Sequence, residues 1–238
     1  GSGGIVRNHL KQGLGAVDDV EFVGWCDLDE QVAAQTREQA GGAGEIYADA
    51  AKMMDDAKPD AVYIMLPPFA HGEVEQQVID RKIPFFIEKP VAIELDTAKR
   101  VYDGVQSAGL ITSVGYMTRY REGVQKAREV LARDKAVLLL GGWMGGGPGP
   151  GAPIFNWWYR KDRSGGQFVE QTTHTTDLAR YLFGEVKTVY AQPVHGRRED
   201  LPDDFDAEHA SMVQLGFANG AAGNLYSVCC STQGTGDR

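Results

Sequence analysis

Lys89 stands in Ile87-Glu88-Lys89-Pro90, directly after the apolar run Pro84–Ile87. If that run is a strand of a parallel sheet, the lysine lies at a carboxyl end, where open α/β folds bind their ligands. Desolvation and a nearby cation push an amine toward neutrality, and such an amine can donate to a substrate hydroxyl or take its proton. A solvated lysine at a strand end is the other reading of position alone. A second group lies far along the chain, where Glu170, His174 and Asp177 follow one another at intervals of four and three residues. On one helix those spacings share a face, so Glu170 and His174 can project together, with Asp177 on much the same side. The same trio would suit a divalent ion, but His9, His71, His195 and His209 are scattered and supply no second ligand cluster. No metal is expected. Asp177 and Arg180 are expected to form a structural pair or cap.

The chain opens Gly1-Ser2-Gly3-Gly4-Ile5-Val6. Glycines let a backbone turn tightly against a pyrophosphate, and the N-terminus of a following helix offers N–H groups to the anion. An appended Gly-Ser leader is the competing reading. Asp27 ends the next apolar run, where a carboxylate would hold the adenosine ribose hydroxyls and repel a 2′-phosphate. That favours NAD over NADP; a strand-end turn or helix cap is the alternative role. Trp157-Trp158-Tyr159-Arg160 could give a sugar an aromatic platform and a hydrogen-bonding fork, with Trp158 and Arg160 the candidates. Core aromatics anchoring a loop would look the same.

The elements that must position these residues alternate through the first half. Val20–Cys26, Ala61–Pro67, Pro84–Ile87 and Ile111–Tyr116 read as strands. Asp29–Ala40, Ala48–Ala57, His71–Lys82 and Glu94–Ala108 read as helices. Strands apolar throughout and separated by helices indicate a parallel sheet covered on both faces, hence a doubly wound α/β domain. The fingerprint should follow a strand, and no residues precede Gly1; the expectation is that the central first strand is missing. After about Met117 the rhythm changes. Arg121–Arg133 looks helical and Ala136–Trp143 extended; a Gly/Pro-rich stretch follows at 145–153, then a helical segment, Gly166–Phe183. Val186–Val194, His209–Phe217 and Ala222–Cys229 read as strands, the last two joined at Asn219-Gly220, a hairpin signal. The expected whole is residues 1–117 as a cofactor domain and 118–238 as an α+β domain with an open, mostly antiparallel sheet.

At 238 residues with 42% hydrophobic and 24% charged content, the composition is that of a globular protein. A net charge of −9 argues against a nucleic-acid surface, and no apolar run approaches the roughly 18 residues of a membrane helix. Three cysteines, Cys26, Cys229 and Cys230, do not make a disulfide framework; a reducing, cytoplasmic setting is expected, with Cys229 and Cys230 as buried packing.

Glu88-Lys89-Pro90, preceded by Leu66-Pro67-Pro68-Phe69-Ala70-His71 and followed by Val114-Gly115-Tyr116-Met117-Thr118-Arg119-Tyr120, resembles the Gfo/Idh/MocA oxidoreductases. Gly165–Asp177 is similar to that family's second signature. The resemblance implies a Rossmann domain, a second domain built on an open sheet, and NAD-dependent dehydrogenase activity on CH–OH groups of sugars, inositols or related polyols. It implies Lys89 and His174 as a catalytic pair with Glu170 beside them. Gly1, Gly3, Gly4, Ile5, Asp27, Pro67, His71, Glu88 and Lys89 are then cofactor contacts, and Tyr116 and Arg119 lie near the substrate. It further implies a homodimer or tetramer. Two positions depart: the family has Asp where Glu170 stands and Gly where Thr172 stands. Other outcomes of the same framework are a catalytically silent NAD-binding regulator, or glycoside cleavage or epimerisation without net redox. Relative to the family pattern the chain is expected to be truncated at both ends.

Overall fold

A computed structural model describes residues 1–145, 147, 152, 154–196 and 201–229. Most of the Gly/Pro-rich stretch, Cys230 and the last residues lie outside the described residues. The chain divides into two compact units, Gly1–Gly115 and Tyr116–Arg238.

The first unit runs α1 (Gly4–Gln12), β1 (Gly24–Cys26), α2 (Glu30–Gln39), β2 (Glu45–Tyr47), α3 (Ala50–Ala57), β3 (Val62–Ile64), α4 (Glu73–Asp80), β4 (Phe85–Ile87), α5 (Leu95–Ala108) and β5 (Thr112–Val114). Helix starts follow the short acids. The Asp29 carboxylate accepts the Gln31 N–H at 2.9 Å and Asp49 that of Lys52 at 2.6 Å, each satisfying one orphan donor of a first turn. All strand pairs are parallel, and they form two sheets, β1–β2 and β3–β4–β5. No described strand pairs with the second edge of β1 or of β3. Val62, Ile64, Phe85 and Ile87 bury against Val78, Ile79, Val101 and Val105 of α4 and α5, and Val6, Trp25, Ala33 and Met65 form a smaller core. Alternate strand residues thus meet helices.

The second unit runs α6 (Glu122–Leu131), β6 (Leu138–Met144), α7 (Phe155–Trp158), α8 (Lys161–Ser164), α9 (Gln167–Glu170), α10 (Thr173–Phe183), β7 (Val186–Val194), β8 (Ala210–Phe217) and β9 (Ala222–Val228). Its sheet order is β6–β9–β8–β7; β7–β8 and β8–β9 are antiparallel and β6–β9 is parallel. The Asn219-Gly220 turn forms as expected. Gly220 takes φ +89°, and the Asn219 side chain receives the Ala221 N–H and donates to the Phe183 carbonyl. One sheet face packs Val213, Leu215, Phe217 and Leu225 against Ala179 and Phe183. The other leaves Leu138, Leu140, Tyr190, Met212 and Tyr226 exposed. No described helix is long and apolar enough to cross a membrane.

Candidate active site

In the first unit, Gly3 caps α1 with no side-chain hydrogen bond, and the first turn carries no acid. A Cβ at Gly3 or Gly4 would meet nothing within 4 Å, so there is room beside the start of α1. An uncapped positive helix end with room before it fits a pyrophosphate. Gly1 packs on the Met65 carbonyl so tightly that any Cβ would collide with it. Asp27, beyond the end of β1, accepts the Ser2 N–H at 2.8 Å and the Asp29 N–H at 3.1 Å. Each carboxylate oxygen keeps a lone pair for a ribose hydroxyl. These features suit a dinucleotide, and they lie at the carboxyl ends of the strands with Lys89.

Lys89 follows β4, and its peptide bond to Pro90 is cis. Glu88 is buried, at 7% exposure. Its Oε2 accepts the Lys89 N–H at 2.9 Å, and its Oε1 lies 3.3 Å from His9 Nε2. Burial pushes the Glu88 carboxyl above its ordinary range, against the Lys89 N–H and the charges of His9, Lys89 and His71, which draw it down. His71 and Glu75 are fully buried as side chains: Nδ1 lies 2.7 Å from Oε1, and Oε2 accepts the Gly72 N–H at 2.5 Å. His71 Nε2 has no hydrogen-bond partner among the described residues. Pro67 opens the short helical turn that leads to His71.

In the second unit, Tyr116 places its ring edge-on to His174, 6.1 Å between centroids, and its hydroxyl 3.1 Å from Thr173 Oγ1. Glu170 is buried. Glu170 and His174 do not share one uninterrupted helix, as the spacing suggested. α9 ends at Glu170 and α10 starts at Thr173. Between them both the Gln171 and Thr172 N–H groups turn back to the Gln167 carbonyl, and that wide turn resets the angle between the two side chains. Glu208 holds α9 in place: its Oε1 accepts the Phe168 N–H at 2.8 Å. Gly166 has φ +89°, and a Cβ there would stand 2.5 Å from Glu208 Oε2, so glycine is required twice over.

Arg119 donates from Nε to Asp177 Oδ2 at 2.7 Å and from Nη2 to Oδ1, and its guanidinium stacks on Tyr181, 4.9 Å from the centroid. This corrects the expected Asp177–Arg180 pair: Arg180 binds Glu185 instead, because Arg119 takes both carboxylate oxygens. Trp158 also departs from expectation. At 1% exposure, edge-on to Phe205, its ring has no free face for a sugar and packs the interior. Arg160 is exposed and its fork is held by Asp162, both bonds 3.0 Å. Among the described residues no group of three or more His, Cys, Asp or Glu is arranged to hold a metal.

Two residues of consequence escaped the sequence reading. His9 was one scattered histidine, although it falls three residues after the buried Val6 on α1 and so shares its inner face. For Glu75 the sequence offers only its spacing of four from His71 as a signal.

The two halves of the chain match the two domain models of one family: residues 1–116 match "Oxidoreductase family, NAD-binding Rossmann fold", and residues 124–238 match "GFO/IDH/MocA C-terminal domain". The chain belongs to the Gfo/Idh/MocA oxidoreductase family. Among curated relatives, scyllo-inositol 2-dehydrogenase (NAD(+)) of Bacillus subtilis is 26% identical over 218 residues, covering 86% of this chain and 57% of the relative. Myo-inositol 2-dehydrogenase of Thermotoga maritima is 26% identical over 228 residues, covering 94% and 65%. The Gfo/Idh/MocA chain described here therefore spans less than two thirds of either relative. The fold is shared with the WlbA dehydrogenase of Bordetella pertussis, solved with NADH and UDP-GlcNAcA, at a TM-score of 0.84 and 24% identity over 98% of this chain and 66% of that one.

Proposed function

We propose that this protein is an NAD-dependent dehydrogenase of a cyclitol, sugar or related polyol. The observation that carries the reading is the grouping in the first unit. An uncapped, glycine-fronted helix end, Asp27 beyond the carboxyl end of β1 and Lys89 beyond that of β4 all belong to the first unit, whose two sheets are both parallel. Asp27 supports NAD over NADP, since a 2′-phosphate would meet its carboxylate. The cyclitol and sugar class rests on the inositol dehydrogenases among the relatives.

A nicotinamide ring bound here would accept or return the hydride of a CH–OH carbon. Lys89 stabilises the negative charge that develops on the substrate oxygen, and His174 takes the hydroxyl proton. Glu170 supports the imidazole electrostatically. Gly3, Gly4 and Ile5 present N–H groups to the pyrophosphate, and Pro67, His71 and Glu88 shape the nicotinamide side. Tyr116 orients His174 through its ring edge. Arg119, tied to Asp177, serves more as the scaffold of that region than as a free substrate ligand. In this reading residues 1–117 form the cofactor domain and 118–238 the substrate domain.

The outer face of the second unit's sheet carries Leu138, Leu140, Tyr190, Met212 and Tyr226. An apolar surface of that kind supports assembly with a second copy of the chain. Cys26 and Cys229, which form no disulfide among the described residues, support a cytoplasmic setting.

Titration with NADH and NADPH, followed by initial rates across inositols and sugars, tests the reading. NADH is expected to bind more tightly, and at least one polyol to reduce NAD+. Lys89→Met should lower kcat by about 10²–10⁴-fold while NADH still binds. NADH binding without turnover on any polyol would instead mark a regulator.

A further inference from the structure

We infer that His9 is a positioning residue for Lys89, acting through the Glu88 carboxylate and linking the glycine-fronted helix to the lysine. The inference rests on the proposed role of Lys89 and adds a residue that role does not require.

Glu88 is a carboxylate gripped on three sides. One oxygen meets His9 Nε2 at 3.3 Å, from α1. The other accepts the backbone N–H of Lys89 at 2.9 Å. On the third side stands Gly115, just after β5, where a Cβ would come within 2.8 Å of Oε1 and 2.9 Å of Oε2. The imidazole is itself fixed. Its edges meet Tyr63 of β3 and Phe86 of β4 at 6.5 and 6.1 Å, and those two rings stack on each other at 4.4 Å. A side chain held this way by rings from two strands and by a carboxylate has little rotamer freedom left. It transmits the placement of α1 to the peptide that aims Lys89.

The groups facing the Glu88 carboxyl are His9 from α1, Tyr63 from β3, His71 beyond β3, and Lys89 beside it. Burial raises this carboxyl, and a positive imidazole at His9 is among the influences that lower it. Removing His9 therefore both loosens Glu88 and favours its protonated form. A protonated Glu88 loses the charge-assisted bond to the Lys89 N–H, so the lysine loses its orientation as the pH falls.

Reacting groups misplaced by a fraction of an ångström cost rate rather than binding. The test compares the wild type, His9→Ala, His9→Gln and Lys89→Met in steady-state kinetics with NAD+ and the best polyol. His9→Ala should lower kcat about tenfold, change the polyol KM and the NADH Kd by less than about threefold, and move the acid limb of kcat to higher pH. His9→Gln keeps an N–H donor near the carboxylate and should recover most of kcat. In the Lys89→Met background, His9→Ala should cost little further, because both act through one group. Glu88→Gln, of the same shape, should repeat the loss of kcat without opening a cavity.

The inference fails if His9→Ala or Glu88→Gln leaves kcat at the wild-type level and lowers only the melting temperature. It fails equally if His9→Gln is as slow as His9→Ala, or if His9→Ala slows Lys89→Met by the same factor as the wild type. Wild-type kcat in Lys89→Met would instead remove the lysine assignment itself, an outcome separable from these.

Discussion

Glu75 is the group whose removal should be felt most in the first unit. Its carboxylate is fully buried, 2.7 Å from His71 Nδ1 and 2.5 Å from the Gly72 N–H at the start of α4. Glu75→Ala would strand both and leave a void the length of the side chain. Breaking a buried pair by removing one member costs about 3–5 kcal/mol, and the lost contact at the helix start is part of that sum rather than an addition to it. Glu75→Gln separates shape from charge. Its amide oxygen can keep the Gly72 N–H, which turns the amide NH2 toward His71. That arrangement is tolerable if the imidazole moves its proton to Nε2, and the cost should then be about 1–2 kcal/mol. Urea unfolding followed by circular dichroism, with Trp25 fluorescence as the reporter for the first unit, measures both. A loss below about 1 kcal/mol for Glu75→Ala, at unchanged m-value, would refute the reasoning. Equal losses for the two variants would refute the tautomer argument alone.

Two further outcomes follow from the same kind of accounting. Asp177→Ala should destabilise the second unit by about 1–2 kcal/mol, less than for a buried pair because Arg119 is 39% exposed and can rehydrate; a thermal melt with an unchanged midpoint would contradict it. Burial raises the Glu88 carboxyl above its ordinary 4.5, so between that value and the raised one the folded state holds the proton more tightly than the unfolded state does. Stability from this group is therefore fully present below the ordinary value and is lost as pH climbs through the raised one. Glu88→Gln should flatten that part of the stability–pH curve, and an unaltered slope would mean that Glu88 does not titrate as described.

The strands around the site were readable because burial on both faces leaves continuous apolar runs such as Ala61–Pro67 and Pro84–Ile87, and their order along the chain exposes the α/β alternation. Asp29, Asp49 and Asn219-Gly220 were readable because caps and hairpin turns are local chemistry. Features created by distant parts of the chain were not readable. β2 is three residues long and half polar, and it exists only because β1 offers a parallel edge. The β6–β9 parallel pairing likewise has no local signal. Among site residues, Lys89 and Asp27 stand at strand ends, where position alone gives a strong hint. Arg119 looked like a substrate ligand until Asp177 was seen to occupy its fork, and Trp158 looked like a platform until its burial was known. The angle between Glu170 and His174 depended on two N–H groups converging on the Gln167 carbonyl, which spacing cannot show. His9 needed the fold itself to bring it to Glu88.

The central claim is hydride exchange between a polyol carbon and nicotinamide at the Lys89 end of the sheet. Incubating the protein with NAD+ and a panel of inositols and sugars deuterated at their carbinol carbons, then weighing the recovered NADH, tests it most directly. One deuterium is expected in the NADH formed by the wild type, with deuterated NADH appearing about 10²–10⁴-fold more slowly with Lys89→Met. Tight NADH binding with no deuterium transferred from any member of the panel would contradict it.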